Sequence, residues 1–330
     1  MAAPGQLDKL DLVLESTYGT NPDTGYTDYP YDDFSILPEN DATVLEKATG
    51  SRFSLYVDTM KQDVRGNLTV QVWPDNVTLA HRLIGLDLDS GQIRSYSMRW
   101  YNAADGNTYV ITGAKCDTGR ITISEGDPKL KMSMDFIAKS FAIYSGTDGN
   151  GNGFDRIGLQ TLPSGASFEL SDMSLWWAPT TITSADTTAA EEETQIEELT
   201  IELRHNLRPG GKRDNTSGFE KTIRRLDYGV EDAEVSGSIV MHLDSEQRAV
   251  DYMNYVISRN TGLAIGVKFD YPGTGSPADK IYYSIRDLVL RKVDPPASIR
   301  EVKVMRFNGV VKAKAVGQAP VVFSSTAWPS

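Results

Sequence analysis

Asp63-Val-Arg-Gly66-Asn-Leu-Thr-Val70-Gln-Val-Trp73 and Glu234-Val-Ser-Gly237-Ser-Ile-Val240-Met-His-Leu243 are two versions of one pattern. Apolar residues alternate with polar ones after a glycine, which is the period of a half-buried strand. Each strand leads into a segment of helical period. After Pro74, Asp75 or Asn76 can cap a helix whose apolar face is Val77, Ala80, Leu83 and Ile84, ended by Gly85. After Leu243, Asp244 can cap a second helix, with Gln247 at the reciprocal position. Its stripe is Ala249, Met253, Val256 and Ile257, and it ends near Gly262. From Gly66 to Phe136 is 70 residues, and so is Gly237 to Phe307. Between these markers both copies run strand, helix, strand, turn-rich link, strand, turn, final strand, a pattern that predicts an internal duplication.

The rest of the chain extends the strand pattern. Phe53–Asp58, Ile93–Trp100 and Lys131–Ile137 alternate in the first half. Glu198–Leu203, Leu263–Phe269, Ile281–Ile285 and Val302–Phe307 alternate in the second. Turn residues such as Ala104-Asp-Gly-Asn107, Gly126-Asp-Pro128 and Gly273-Thr-Gly-Ser-Pro277 separate them. The expected fold is all-β, with two tandem β-sandwich or barrel domains, one flanking α-helix in each, and long loops. The domains are expected at 1–160 and 161–330, with the join somewhere in 145–195, where Gly146–Phe154 and Thr180–Glu193 read as linkers.

Charge narrows the function. The 330 residues hold 33 Lys+Arg against 45 Asp+Glu, a net charge of -12. Residues 196–330 carry 19 basic and 17 acidic side chains, so the acidity is concentrated in 1–195. A chain that grips nucleic acid needs a basic footprint, and this balance opposes it. One cysteine, Cys116, excludes an intramolecular disulfide. No run of about 18 apolar residues marks a membrane span, and the start lacks the apolar core of a leader peptide. The expectation is a soluble protein made in a cytoplasm, with no membrane partner, where the Asn-x-Ser/Thr matches at Asn67, Asn76 and Asn215 stay unmodified.

Several motifs taken together carry a family resemblance. Leu10-Asp-Leu-Val-Leu-Glu15-Ser-Thr-Tyr-Gly-Thr20-Asn-Pro22, the strand–helix unit after Gly66, Tyr109–Ile123 followed by Leu130–Lys139, and Leu199–Leu207 followed by a long loop to Val235 resemble the major tail tube proteins of tailed phages. The resemblance covers about Leu10–Lys314. It implies a β-sandwich with one flanking helix that assembles by sheet edges into a six-fold ring, with rings stacked into a conduit for DNA. A two-domain chain is then implied to close its ring with three copies. The partners implied are other copies of itself and the tape measure, tail terminator and distal tail proteins. DNA passes through without specific binding, the location is the virion, and no cofactor is called for. Open strand edges satisfied by neighbours, and an acidic wall that does not hold phosphate, agree with this reading on physical grounds.

Two segments are candidate interfaces. Arg204, Arg208, Lys212, Arg213, Lys221, Arg224 and Arg225 crowd one stretch with only Asp214 and Glu220 opposing them, and Pro209-Gly-Gly211 lies within it. This is expected to be a long mobile cationic arm that orders against an acidic neighbour. Tyr18–Asp41, with Tyr29, Asp32 and Asp33, is a candidate mate, or is pinned by its Tyr and Pro residues to its own domain.

Catalytic readings are weaker. Asp148-Gly-Asn-Gly-Asn-Gly153 has the start of a calcium loop, but Leu159 stands where the bidentate Glu belongs. His81, His205 and His242 show no metal-ligand spacing, and Cys116 has no neighbouring His in sequence. No enzyme is expected. Trp176-Trp177 supports the alternative function, a carbohydrate-binding β-sandwich. Adjacent strand residues face opposite ways, so one Trp is core and the other exposed or at an interface.

Overall fold

The computed structural model describes residues 8–45, 56–86, 93–146, 163, 165–178, 191–193, 196–205, 207, 209–214, 218–223, 232–241, 254, 256–257, 263–271, 280–294, 303–311 and 321–328. Strands of the first half are β1 (Lys9–Leu14), β2 (Thr27–Asp28), β3 (Asp33–Phe34), β4 (Leu37–Leu45), β5 (Tyr56–Gln71), β6 (Tyr96–Asn102), β7 (Asn107–Ser124), β8 (Asp127–Ala138) and β9 (Ser140–Ser145). Those of the second are β10 (Met173–Ala178), β11 (Glu191–Glu193), β12 (Ile196–Arg204), β13 (Pro209–Asp214), β14 (Gly218–Ile223), β15 (Asp232–Met241), β16 (Leu263–Asp270), β17 (Lys280–Asp294), β18 (Lys303–Val311) and β19 (Val321–Ser324). All named pairings are antiparallel, and the fold is all-β. The helix α1 (Val77–Leu83) interrupts the first half.

The two halves are built in the same register. Gly66 lies opposite Phe136 in the β5–β8 pair, and Gly237 opposite Phe307 in β15–β18. A shift of 171 residues carries seven of the eight partner pairs of the first onto the second, from Val64↔Ala138 and Val235↔Gly309 to Val70↔Met132 and Met241↔Lys303. Facing alternates with period two along a strand, so the preserved register keeps the two strand pairs in phase with each other. Gly66 is required by close approach: a Cβ there would lie 2.2 Å from the carbonyl oxygen of Ser35 and 2.5 Å from Cα of Ile36, where the chain crosses from β3 to β4.

Each half is a two-layer sandwich whose longest strand serves both layers. The first part of β7 pairs with β6 and β9, and the part after Ala114 pairs with β8. It turns at Gly113, whose φ of 67° favours glycine. Glu15 fixes this corner. Its carboxylate is buried and accepts from Ser97 Oγ at 2.6 Å and from the Gly113 and Gly19 amides at 2.7 Å each. A buried carboxylate needs such donors, which explains the Glu15-Ser-Thr-Tyr-Gly19 motif. In the second half β17 does the same work, pairing first with β16 and β19 and then with β18.

Helix α1 has the predicted face, since Val77, Ala80, Leu83 and Ile84 are all buried. It ends at Gly85 as expected, with φ 83°, Gly85 N–H donating to Arg82 O and Leu86 N–H to His81 O, the bonds of a Schellman cap. Its start differs from expectation: Asn76 is the N-cap residue but its side chain makes no cap bond. The amide instead accepts from Trp73 N–H and donates to the Gln71 carbonyl, so it ties the helix to β5. Of the second expected helix, Asn254, Val256 and Ile257 are helical, and Ala249 and Met253 lie outside the described residues. Val256 packs on the core but Ile257 is 76% exposed, contrary to the expected buried stripe.

Candidate assembly interfaces

The halves meet edge to edge. Beyond Thr118 the second edge of β7 is taken by β12, in seven partner pairs from Arg204↔Thr118 to Glu198↔Ser124. A continuous sheet results, in the order β4, β5, β8, β7, β12, β15, β18, β17. Among the described residues, β4 pairs with β5 alone at one end. At the other end β17 beyond Leu288 pairs with β18 alone.

A helix locks the seam. Ile84 sits over Gly119 of β7, where a Cβ would come within 2.9 Å of the Ile84 Cβ. Gly85 abuts the ring of His205, whose Nε2–H donates to Ile84 O at 2.9 Å. Asp117 completes the joint, its backbone carbonyl accepting from His205 N–H and its carboxylate from Leu207 N–H. His81 then reaches the second half. Its Nδ1–H donates to Val77 O at 2.5 Å, its Nε2 accepts from the Tyr283 hydroxyl at 2.6 Å, and its ring stacks on Phe323 with centroids 3.7 Å apart. Complete burial pulls its pKa down to about 3, so the ring is neutral and keeps this tautomer.

This helix closes the second sandwich, and among the described residues no helix covers the first in the same way. Leu175, Val267, Tyr283 and Phe323 form one row across β10, β16, β17 and β19. The bulge between Tyr96↔Ala114 and Met98↔Ile111 repeats between Leu263↔Leu288 and Ile265↔Ile285, so the same row in the first half is Leu10, Trp100, Tyr109 and Ile143 across β1, β6, β7 and β9. In this row Val267 and Tyr283 are fully buried, while their counterparts Trp100 and Tyr109 are partly exposed and Ile143, the counterpart of Phe323, is 58% exposed. Phe34, Trp100, Tyr109 and Phe141 run in ring contact at 5.1–5.8 Å along this face.

The residues singled out in the sequence are placed as follows. Tyr29 is buried in the core, its backbone N–H bonded to Leu10 O, and burial pushes its hydroxyl pKa up. It pins the N-terminal segment to its own domain, the second of the two readings given above. Asp32 is exposed and takes Gln71 Nε2 at 3.1 Å and Lys131 Nζ at 3.7 Å, and Asp33 is exposed on β3. Arg204 is half-exposed and pairs with Glu202, which Arg120 also holds at 2.9 Å. The cationic segment departs from the mobile loop expected of it. Lys212, Arg213 and Lys221 lie on the two-stranded β13–β14 hairpin, with Lys212 opposite Glu220. Arg208, Arg224 and Arg225 lie outside the described residues.

The sequence profile described as phage tail tube protein matches residues 5–325. The chain belongs to the phage tail tube protein family. As a tail tube protein it is a structural component of the virion, and its family works by self-assembly together with other tail proteins. Comparison with curated proteins gives no match.

Other chemistry finds little footing in this tail tube protein. Trp176 and Trp177 do face opposite ways, Trp177 into the main core. Trp176 is only 8% exposed, covered edge-on by Trp328 at 5.4 Å, so it offers no sugar platform, contrary to the exposed tryptophan allowed for above. Cys116 is buried, and burial holds its thiol well above the ordinary value. Among the described residues no group of three or more His, Cys, Asp or Glu is arranged to hold a metal. The Asp148–Asp155 loop and His242 lie outside the described residues.

Proposed function

We propose that three copies of the chain close a ring of six similar units, and that rings stack head to tail into the hollow conduit that delivers viral DNA. The observation that carries this reading is the β7–β12 seam, in which one half extends the sheet of the other. The two open ends of the sheet are its counterparts: β3 and β4 pair with β5 as β12 pairs with β15, and β17 turns onto β18 as β7 turns onto β8. Repeating the internal seam between copies leaves neither edge bare. A head-to-tail contact of this kind closes a ring when its rotation divides the circle.

The seam between copies is the weaker one. By register, Asp294 stands where Thr118 stands, since Thr118↔Asp135 and Asp294↔Arg306 are related by the same shift of 171 along β8 and β18. Pro295 and Pro296 follow, where β7 continues with Gly119 and Arg120. Proline supplies no N–H, so this edge has fewer donors to offer. The subunit then stays single until assembly begins.

The acidity of residues 1–195 suits a wall that lets a polyanion slide. The cationic hairpin suits a contact with the acidic surface of the next ring, where Asp32 and Asp33 are available. Negative-stain electron microscopy of the concentrated protein tests the reading directly. Hollow annuli and tubes are expected. Particles of single-subunit size under every condition, including in the presence of the rest of the tail, overturn it. Reversing Arg208, Lys212 and Arg213 to Glu is expected to leave annuli but shorten tubes; tubes of unchanged length refute the stacking role of the hairpin.

A further inference from the structure

We infer that the partly open aromatic face of the first half, formed by Trp100, Tyr109, Phe141 and Ile143, is a socket for the second helix, around Asn254–Ile257, of a neighbouring copy. The inference rests on the ring reading above and adds what fills the sandwich at each junction. Its template is inside the chain. Helix α1 belongs by sequence to the first half, yet His81 packs on Tyr283 and Phe323 of the second half. The second half is closed by a donated helix: of the positions matching Trp100, Tyr109 and Ile143, Val267 and Tyr283 are fully buried and Phe323 lies under His81.

The first half has the same rows of residues and, among the described residues, no such donor in its own chain. Its next helix in the cycle is the one that contains Asn254, Val256 and Ile257, which follows β15 as α1 follows β5. Ile257 on that helix is 76% exposed and Ile143 on the socket is 58% exposed, the two largest exposures among the big apolar side chains described. Two unmatched apolar surfaces at corresponding positions of a repeat are expected to meet when the repeat is continued between chains.

Two single-cysteine additions test this. Cys116 is buried and its thiol is held protonated, so it stays silent towards a maleimide. Chains carrying Ile143→Cys and chains carrying Ile257→Cys are mixed, allowed to assemble, and treated with a short bismaleimide. Cross-linked pairs are expected in the mixture and not in either variant alone, and a chain with both changes is expected to give covalent rings. In parallel, Ile257→Asp is expected to leave the unfolding midpoint of the single chain unchanged and to raise the concentration needed for assembly at least tenfold. Rings that form normally, give no cross-link, and tolerate Ile257→Asp overturn the socket while leaving the ring reading intact. A chain that never assembles overturns both.

Discussion

The two halves share register and strand order but differ in how they are finished. Apart from its β17 edge, the second half is closed: its sheet edge at β12 is taken by β7, its interior is sealed by α1, and its outer face is covered by Trp328, which packs on Trp176 and on Tyr282. The first half keeps an open edge at β4 and an open aromatic face at Phe141 and Ile143. The lesson is that the chain contains one complete junction and two half-junctions. On the ring reading proposed above, the seam inside the chain is the template for the contact with the next copy.

The largest expected effect comes from breaking the crossing that is special to the first half. Gly66→Ala places a methyl 2.2 Å from a backbone oxygen that cannot step aside without moving the β3–β4 corner. A loss of about 3 kcal/mol or more is expected in urea unfolding, in the range of overpacking combined with backbone displacement. A loss under about 1 kcal/mol shows that the corner yields and that the open edge is not held in place by this contact.

The joint between halves is the next target. His81→Phe keeps the stack on Phe323 but removes the bonds to Val77 O and to the Tyr283 hydroxyl, at a cost of about 2 kcal/mol at neutral pH. Acid sharpens the test. The folded pKa of His81 lies at about 3, below the ordinary 6.5, so between these values the unfolded chain binds more protons. The stability present above pH 6.5 is therefore lost as pH falls towards 3, by up to about 1.4 kcal/mol per pH unit from this group. Unfolding curves at pH 7.5 and 4.5 are expected to lie closer together in the variant than in the parent. Equal spacing in both proteins contradicts a buried neutral His81.

The smallest effect concerns the lid on the second half. Trp328→Ala uncovers Trp176 and is expected to cost about 1–2 kcal/mol, the scale of an aromatic contact plus its buried area. A red shift of tryptophan emission reports the exposure. Unchanged emission refutes Trp328 as the cover.

Much of this architecture was legible in the sequence, and the reasons for the gaps are physical. Alternation exposed the strands, and Gly66, Phe136, Gly237 and Phe307 marked a duplication because the partner register is identical in both copies. The helix face from Val77 to Ile84 was readable from its period and its closing Gly85. Tyr29 was left between two readings, because β2 and β3 are two residues long and leave no period, so a segment rich in Tyr, Pro and Asp reads equally as an arm or as pinned to its own domain. The β13–β14 hairpin was hidden because Gly210-Gly211 and the surrounding Lys and Arg lack strand-forming side chains. The β7–β12 seam left no signal in either strand, since periodicity says which face is buried and nothing about which edge finds which partner. His81 could be noticed only as an isolated polar residue on an apolar helix face, and its partner Tyr283 is 202 residues away.

The central claim is that one chain supplies two ring units, and the count of chains per ring tests it most directly. Native mass spectrometry of single rings released from tubes, with cryo-electron microscopy for the symmetry, gives that count. The account predicts a ring of about three times 36.3 kDa with three-fold symmetry and six similar lobes. A ring of six chains, or one whose lobes do not alternate between two kinds, contradicts it.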